Sequence, residues 1–278
     1  MLKLKQYLFL LITALIWGSG FVGQKLGVSH VSPYTFTFLR TLLGGLFLLP
    51  VIYVLGHVHK SPGSLLRKSN RRSLILGSFL CGICLLTAES FQQFGIVQTD
   101  VNKASFITSM YILFVPLLGL FIGHRPSLKI TIATAISLAG LYLLCMKGSF
   151  TLARGDFLIL ICAVIFALHI LVISCFVNHV DGVMLSCGQF FVASFFGMIM
   201  MLVFDTPTYE ELKAAAPAIL YVGILSNGVA YTLQVVGQRG INPTIATLIL
   251  SLESVFGTMF GVLYLILQWL ICSIFLTT

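Results

Sequence analysis

Apolar residues run in long blocks along this chain, and polar residues gather in short breaks between them. Uncharged or nearly uncharged runs occupy Tyr7 to Val28, Tyr34 to Leu55, Ser73 to Phe94, Ala104 to Gly123 and Leu128 to Met146. They resume at Asp156 to Val177, Gly182 to Phe204, Ala214 to Val236 and Thr244 to Tyr264. Each is close to the ~20 residues that carry an α-helix across a hydrocarbon core. The blocks are about twice the length of a barrel strand and do not alternate, so the pattern predicts nine helices and no barrel.

Composition agrees: 58% of the 278 residues are hydrophobic and 9% are charged, too few charges to cover a water-facing surface. The formal charge of +8 describes topology. With a cytoplasmic N-terminus, inside loops hold Lys3, Lys5, Lys60, Arg67, Lys68, Arg71, Arg72, Arg125, Lys129 and Arg239; outside loops hold Lys25, Lys103, Lys147, Arg154 and Lys213. That excess of inside cations predicts a multi-pass protein of the plasma (cell inner) membrane, and it leaves no basic patch for nucleic acid. Lys3 and Lys5 precede an apolar run without a small-x-small cleavage site, so the first helix is expected to stay attached. Seven cysteines lie scattered through apolar runs, and no usable glycosylation sequon occurs, Asn242 being blocked by Pro243.

Ala88 to Gly119 aligns without a gap on Ala230 to Gly261. The identities are Ala88/Ala230, Gln92/Gln234, Gly95/Gly237, Ala104/Ala246, Ile107/Ile249, Ser109/Ser251, Phe114/Phe256 and Gly119/Gly261. The first helices also correspond, Ala14 to Gly18 with Ala163 to Ala167, and Arg40 falls opposite Gln189, at an offset of 149 instead of 142 because the basic loop from Gly56 to Arg72 is longer. Five helices per copy force the second copy upside down, an arrangement of solute carriers. The expected fold is thus an all-α integral membrane protein of two inverted five-helix repeats, 1–147 and 148–278. It has nine to ten transmembrane helices, the last short or missing. A tenth helix would occupy about 270 to 288 by the repeat register, whereas the sequence ends at Thr278 and Gly123-His124-Arg125-Pro126 has no polar counterpart in Leu265-Ile266-Leu267-Gln268.

The order of these features resembles the drug/metabolite transporter superfamily, in particular its EamA-type members. The resemblance rests on Ala14-Leu15-Ile16-Trp17-Gly18-Ser19-Gly20-Phe21, on Ser32-Pro33 with Phe38-Leu39-Arg40, on Pro116, and on Leu252-Glu253-Ser254-Val255-Phe256. The last is similar to the family's Leu-Glu-Pro-Val-Phe, with Ser254 for Pro; His124 stands where a Gly-Glu turn is common. What the resemblance implies is two inverted repeats around a central substrate cavity, and movement of amino acids or other small organic metabolites.

Glu89, Gln92 and Gln93 share one face of the third predicted helix, and Asn227, Tyr231 and Gln234 share the equivalent face of the eighth. Polar faces at membrane depth must point at protein or water, so these two are expected to form opposite walls of a cavity, the alternative being amides that tie helices together. Glu89 and Glu253 are the carboxylates deep in predicted spans. One of them, Glu89 by its company of amides, is expected to contact a substrate amine or carry a coupled proton, against a structural hydrogen bond. Trp17 and Gln24 share a face of the first helix, matched by Phe166 and His169 in the sixth, and Tyr111 falls where Glu253 does in the other repeat. The candidate cavity residues are therefore Trp17, Glu89, Gln92, Gln93, Tyr111, His169, Asn227, Tyr231, Gln234 and Glu253. Packed aromatics and a satisfied buried histidine explain Trp17, Phe166 and His169 equally well. Arg40, several residues inside the second predicted helix, is a candidate to draw an anionic group, with snorkelling or pairing with carbonyls the preferred account.

Other motifs are discounted. Gly18 to Gly23 fits GxGxxG but lies inside a spanning helix, where glycines permit close packing. Cys81 and Cys84 form a single CxxC without the second pair of a zinc site, and Gly119/Gly123 and Gly257/Gly261 read as small-residue helix contacts. His57 and His59 read as lipid head-group contacts. No cofactor, metal or catalytic residue is expected. The expected function is a secondary transporter, with a small-molecule substrate, the lipid bilayer and protons as partners and a homodimer as an alternative to a monomer. A non-transporting remnant and a membrane-embedded enzyme are the competing readings.

Overall fold

The computed structural model describes residues 2–58, 70–121, 123, 127–145 and 153–277, and the side chains of these except at 2, 57, 58, 144, 145 and 268–277. The helices are α1 (Leu2–Gly27), α2 (Pro33–Val58), α3 (Arg71–Gln98), α4 (Val101–Ser109), α5 (Tyr111–Phe121), α6 (Leu128–Cys145), α7 (Arg154–Phe176) and α8 (Gly182–Phe204). Then follow α9 (Tyr209–Tyr221), a π-helical segment (Val222–Tyr231), α10 (Thr232–Gly237), α11 (Pro243–Leu250) and α12 (Glu253–Thr277). Each of the nine predicted runs is helical over most of its described residues. Among the described residues, 8 helical spans are long and apolar enough to cross a membrane, and α6 is a shorter apolar helix. α12 runs unbroken from Glu253 to Thr277, so the residues past Tyr264 extend the ninth span without turning into a separate helix.

Short polar side chains close the ends, as unpaired terminal amides require. Asn70 accepts from the Arg72 amide at 3.1 Å, Asp181 from those of Val183 and Met184 at 2.9 Å, and Asn242 from that of Thr244 at 2.9 Å. Thr208 and Glu211 form a reciprocal capping box at the start of α9.

Two spans are interrupted at positions the repeat equates. The fourth breaks at Met110, between α4 and α5, and the ninth at Ser251-Leu252, between α11 and α12. In both, the backbone tightens to three-residue hydrogen bonds, Met110 N–H to Ile107 O and Leu252 N–H to Ile249 O.

Packing also exchanges between the halves. α3 lies along α7, while α9, the π segment and α10 lie along α1; α2 crosses α8 centrally. Lipid supplies no hydrophobic drive to helix association, so close approach through small residues matters. A Cβ on Gly18 would sit 2.4 Å from the Phe256 Cβ and 2.8 Å from the Gly257 nitrogen, which seats α1 on α12 and accounts for the GxGxxG match. Gly257 and Gly261 pack on Ser105 and Asn102 of α4, as small-residue contacts should. Gly123 does not: it has φ 81° with open space around it, a turn conformation that suits glycine and no packing role. Large apolar side chains such as Ile75, Leu143, Phe204 and Met259 cover the outer surface. Cys81, Cys84, Cys162, Cys175 and Cys187 are free thiols. His59 and the turn residues His124, Arg125 and Pro126 lie outside the described residues, as does the side chain of His57.

Candidate functional site

The two halves meet around a buried polar centre in two layers. The first is an ion-pair network. Arg40 of α2 is 1% exposed, so it does not snorkel to the membrane surface. It turns inward and grips Glu89 of α3, with Nε 3.1 Å from Oε2 and Nη2 3.0 Å from Oε1. The Asn227 amide of the π segment donates to Glu89 Oε1 at 3.1 Å. Arg40 Nη1 donates to Gln24 Oε1 at 2.8 Å, and the Gln93 amide donates to the same oxygen. Five side chains from four elements thus cancel one buried positive and one buried negative charge, which is the condition for keeping either in the bilayer interior.

The second layer surrounds Glu253 at the start of α12. Ser109 donates to Glu253 Oε1 at 3.1 Å, and the Ser109 and Ser254 hydroxyl oxygens lie against each other. Ser254 then donates to the Ser105 carbonyl at 2.8 Å. The Tyr111 hydroxyl lies beside Glu253 without a partner at hydrogen-bonding geometry.

Between the layers lies a cavity of about 20 Å³, room for about one water. Trp17, Gln92, Tyr111, Tyr231, Gln234 and Glu253 line it, as expected from the two polar faces. Phe21, Gln24, Arg40, Thr108, Phe166, Ile170 and Ser226 complete it. The Trp17 and Tyr231 rings lie 4.6 Å apart, tilted by 58°, and Gln92 donates to Thr108 at 3.3 Å.

Three of the ten candidates, Glu89, Gln93 and Asn227, sit in the ion-pair network behind this lining. His169 is also outside the lining, because its Nε2 is engaged 2.9 Å from Gln189 Oε1 of α8, a partner that spacing along the chain did not show. Its ring stays in the aromatic shell, 6.1 Å from that of Tyr231. Phe21 and Ile170 escaped the sequence reading, although the 149-residue offset that equates Trp17 with Phe166 also equates them. Ser226 and Thr108 carry no comparable signal.

The repeat register organises the lining. Trp17 and Phe166, Phe21 and Ile170, Gln92 and Gln234, and Tyr111 and Glu253 are equated positions, and every one of them faces the cavity. Tyr111 lies beside Glu253 and Tyr231 beside Glu89, a further equated pair.

A helical protein with eight candidate spans and a small central cavity lined from both halves of the sequence has the build of a membrane carrier. The chain belongs to the EamA-like transporter family, whose pattern matches residues 4–146 and 153–276. It is 29% identical over 254 residues to an uncharacterized transporter of Archaeoglobus fulgidus, covering 91% of this chain and 76% of that protein. It is 22% identical over 271 residues to the uncharacterized transporter YoaV of Bacillus subtilis, covering 94% and 89% of the two chains. A solved crystal structure shares the fold at a TM-score of 0.73 and 17% identity, over 93% of this chain and 88% of that one.

Proposed function

We propose that this membrane transporter is a secondary carrier of small organic metabolites, amino acids or related solutes. Its two inverted repeats, 1–147 and 148–278, expose one central site alternately to either side of the plasma membrane, with the N-terminus in the cytoplasm and protons as the coupling ion. The observation that carries this is the cavity itself: equated residues of both halves wall one small, water-sized space. A single central site between exchangeable halves is what alternating access requires. The Trp17, Phe166 and Tyr231 rings suit an apolar body, and the Gln92 and Gln234 amides suit polar groups.

The test is metabolite flux. Cells expressing the chain are loaded with a metabolite mixture, and released species are quantified by mass spectrometry against an empty vector and a Gln92→Leu/Gln234→Leu variant shown to be inserted. The expected result is selective release of one solute class, lost in the variant and reduced when the proton gradient is collapsed. Release equal to the empty vector, from inserted wild-type protein, would overturn the proposal.

A further inference from the structure

The two buried carboxylates are not equivalent. The charge of Glu89 is cancelled where it stands, by two Arg40 nitrogens and the Asn227 amide. Glu253 is equally buried and lines the cavity, yet its one hydrogen-bond donor among the described residues is the Ser109 hydroxyl. Among the described residues no basic side chain forms an ion pair with it. Two more acceptors face the same space unfilled: Gln234 Oε1 and Tyr111 Oη are buried without a hydrogen-bond partner, and both residues line the cavity. The missing component is a donor carrying positive charge. Three rings, Trp17, Phe166 and Tyr231, share the wall with polar side chains and with Arg40, which is paired to Glu89, and ring faces attract cations.

From this complementarity we propose that the cavity, whose water-sized volume matches one ammonium group, receives the protonated amine of a small amphipathic solute when the halves part to admit its body. Glu253 is its counter-ion, Gln234 and Tyr111 accept its N–H groups, and the aromatic rings pack its apolar body. The inference rests on the transport reading above and specifies its substrate class. It also moves the cation-binding role from Glu89, where the sequence pattern put it, to Glu253. Arg40 spends its charge on Glu89 and does not compete for the solute.

Binding of phenethylamine, phenethyl alcohol and phenylacetate to the full chain in lipid nanodiscs, by calorimetry at neutral pH, tests this. The amine should bind about tenfold or more tightly than the alcohol, since only the amine pairs the buried carboxylate. That preference should vanish in Glu253→Gln and survive, weakened, in Glu253→Asp. Equal or tighter binding of the alcohol or of phenylacetate by wild type, no binding of the amine, or an unchanged preference in a folded Glu253→Gln protein would overturn the assignment. The wild-type comparison decides the matter even if the glutamine variant does not fold. Flux separates the two proposals. Selective release of acidic or neutral solutes overturns the amine site and leaves the carrier standing, whereas amine binding without any flux supports the site and overturns the carrier.

Discussion

Arg40 and Glu89 show how a charge survives in the bilayer interior. Removing one partner strands the other, which costs about 3–5 kcal/mol for a buried pair, while removing both removes the stranded charge as well. Arg40→Gln and Glu89→Gln should therefore each destabilise the protein strongly, and the double variant should recover a large part of the loss. Unfolding of the detergent-solubilised protein measures the cycle; purely additive losses would show that the pair is not coupled. The sequence exposed only half of this pair's role. Glu89 was visible as a polar residue in an apolar run with glutamines on its face. Arg40 carried the same signal, but hydropathy reports depth in the membrane and not which helix stands opposite, and the partners are 49 residues apart. His169 and Gln189 escaped for the same reason.

At the level of elements, polar contacts join the two halves at both ends of the bundle. At the end predicted to be external, Asp205, just past α8, accepts from the Ser32 and Thr35 hydroxyls before and within α2. Nearby, Asp156 of α7 accepts from Thr99 at 3.0 Å and pairs with Lys103 of α4. At the opposite end, Gln6 of α1 donates to the Arg239 carbonyl, and the Arg239 guanidinium caps α7 at the carbonyls of Val177 and Val180, 3.1 and 2.8 Å away. Partial burial acts to raise the Asp205 carboxyl, but the Ser32 and Thr35 hydroxyls and the Thr206 amide hold it below the ordinary 3.8. A carboxyl lowered by folding stabilises the folded state above its unfolded value, and that contribution fades as pH falls through 3.8 and below. Asp205→Asn should thus lower the melting temperature at neutral pH and flatten its decline on acidification. An identical decline in both proteins would remove Asp205 from the contact. Helix positions were legible throughout, because nine apolar runs of spanning length admit little else. The breaks at Met110 and Ser251-Leu252 and the π segment were not, since neither proline nor glycine marks the first two.

The whole molecule is ordered by its duplication. Eight identities in one gap-free stretch sufficed to equate Gln92 with Gln234 and Tyr111 with Glu253, and the structure places all four on one cavity. What the alignment could not say is that equated residues also touch, because contact between copies depends on how they dock and not on how they match. Docking brings an ion-paired carboxylate and one without an ion-pair partner to the same buried centre, so the halves share their chemistry unequally. Alternating exposure of that shared centre follows if either end of the bundle can part while the other stays closed. Ser226 lines the cavity from the π segment and is a small residue that cysteine replaces with little change in volume. The most direct measurement is modification of a Ser226→Cys protein, in a background with the seven native cysteines replaced, by a membrane-impermeant thiol reagent applied in turn to each side of oriented vesicles. Alternating access predicts labelling from both sides. Labelling from one side only, or from neither in folded protein, would contradict it.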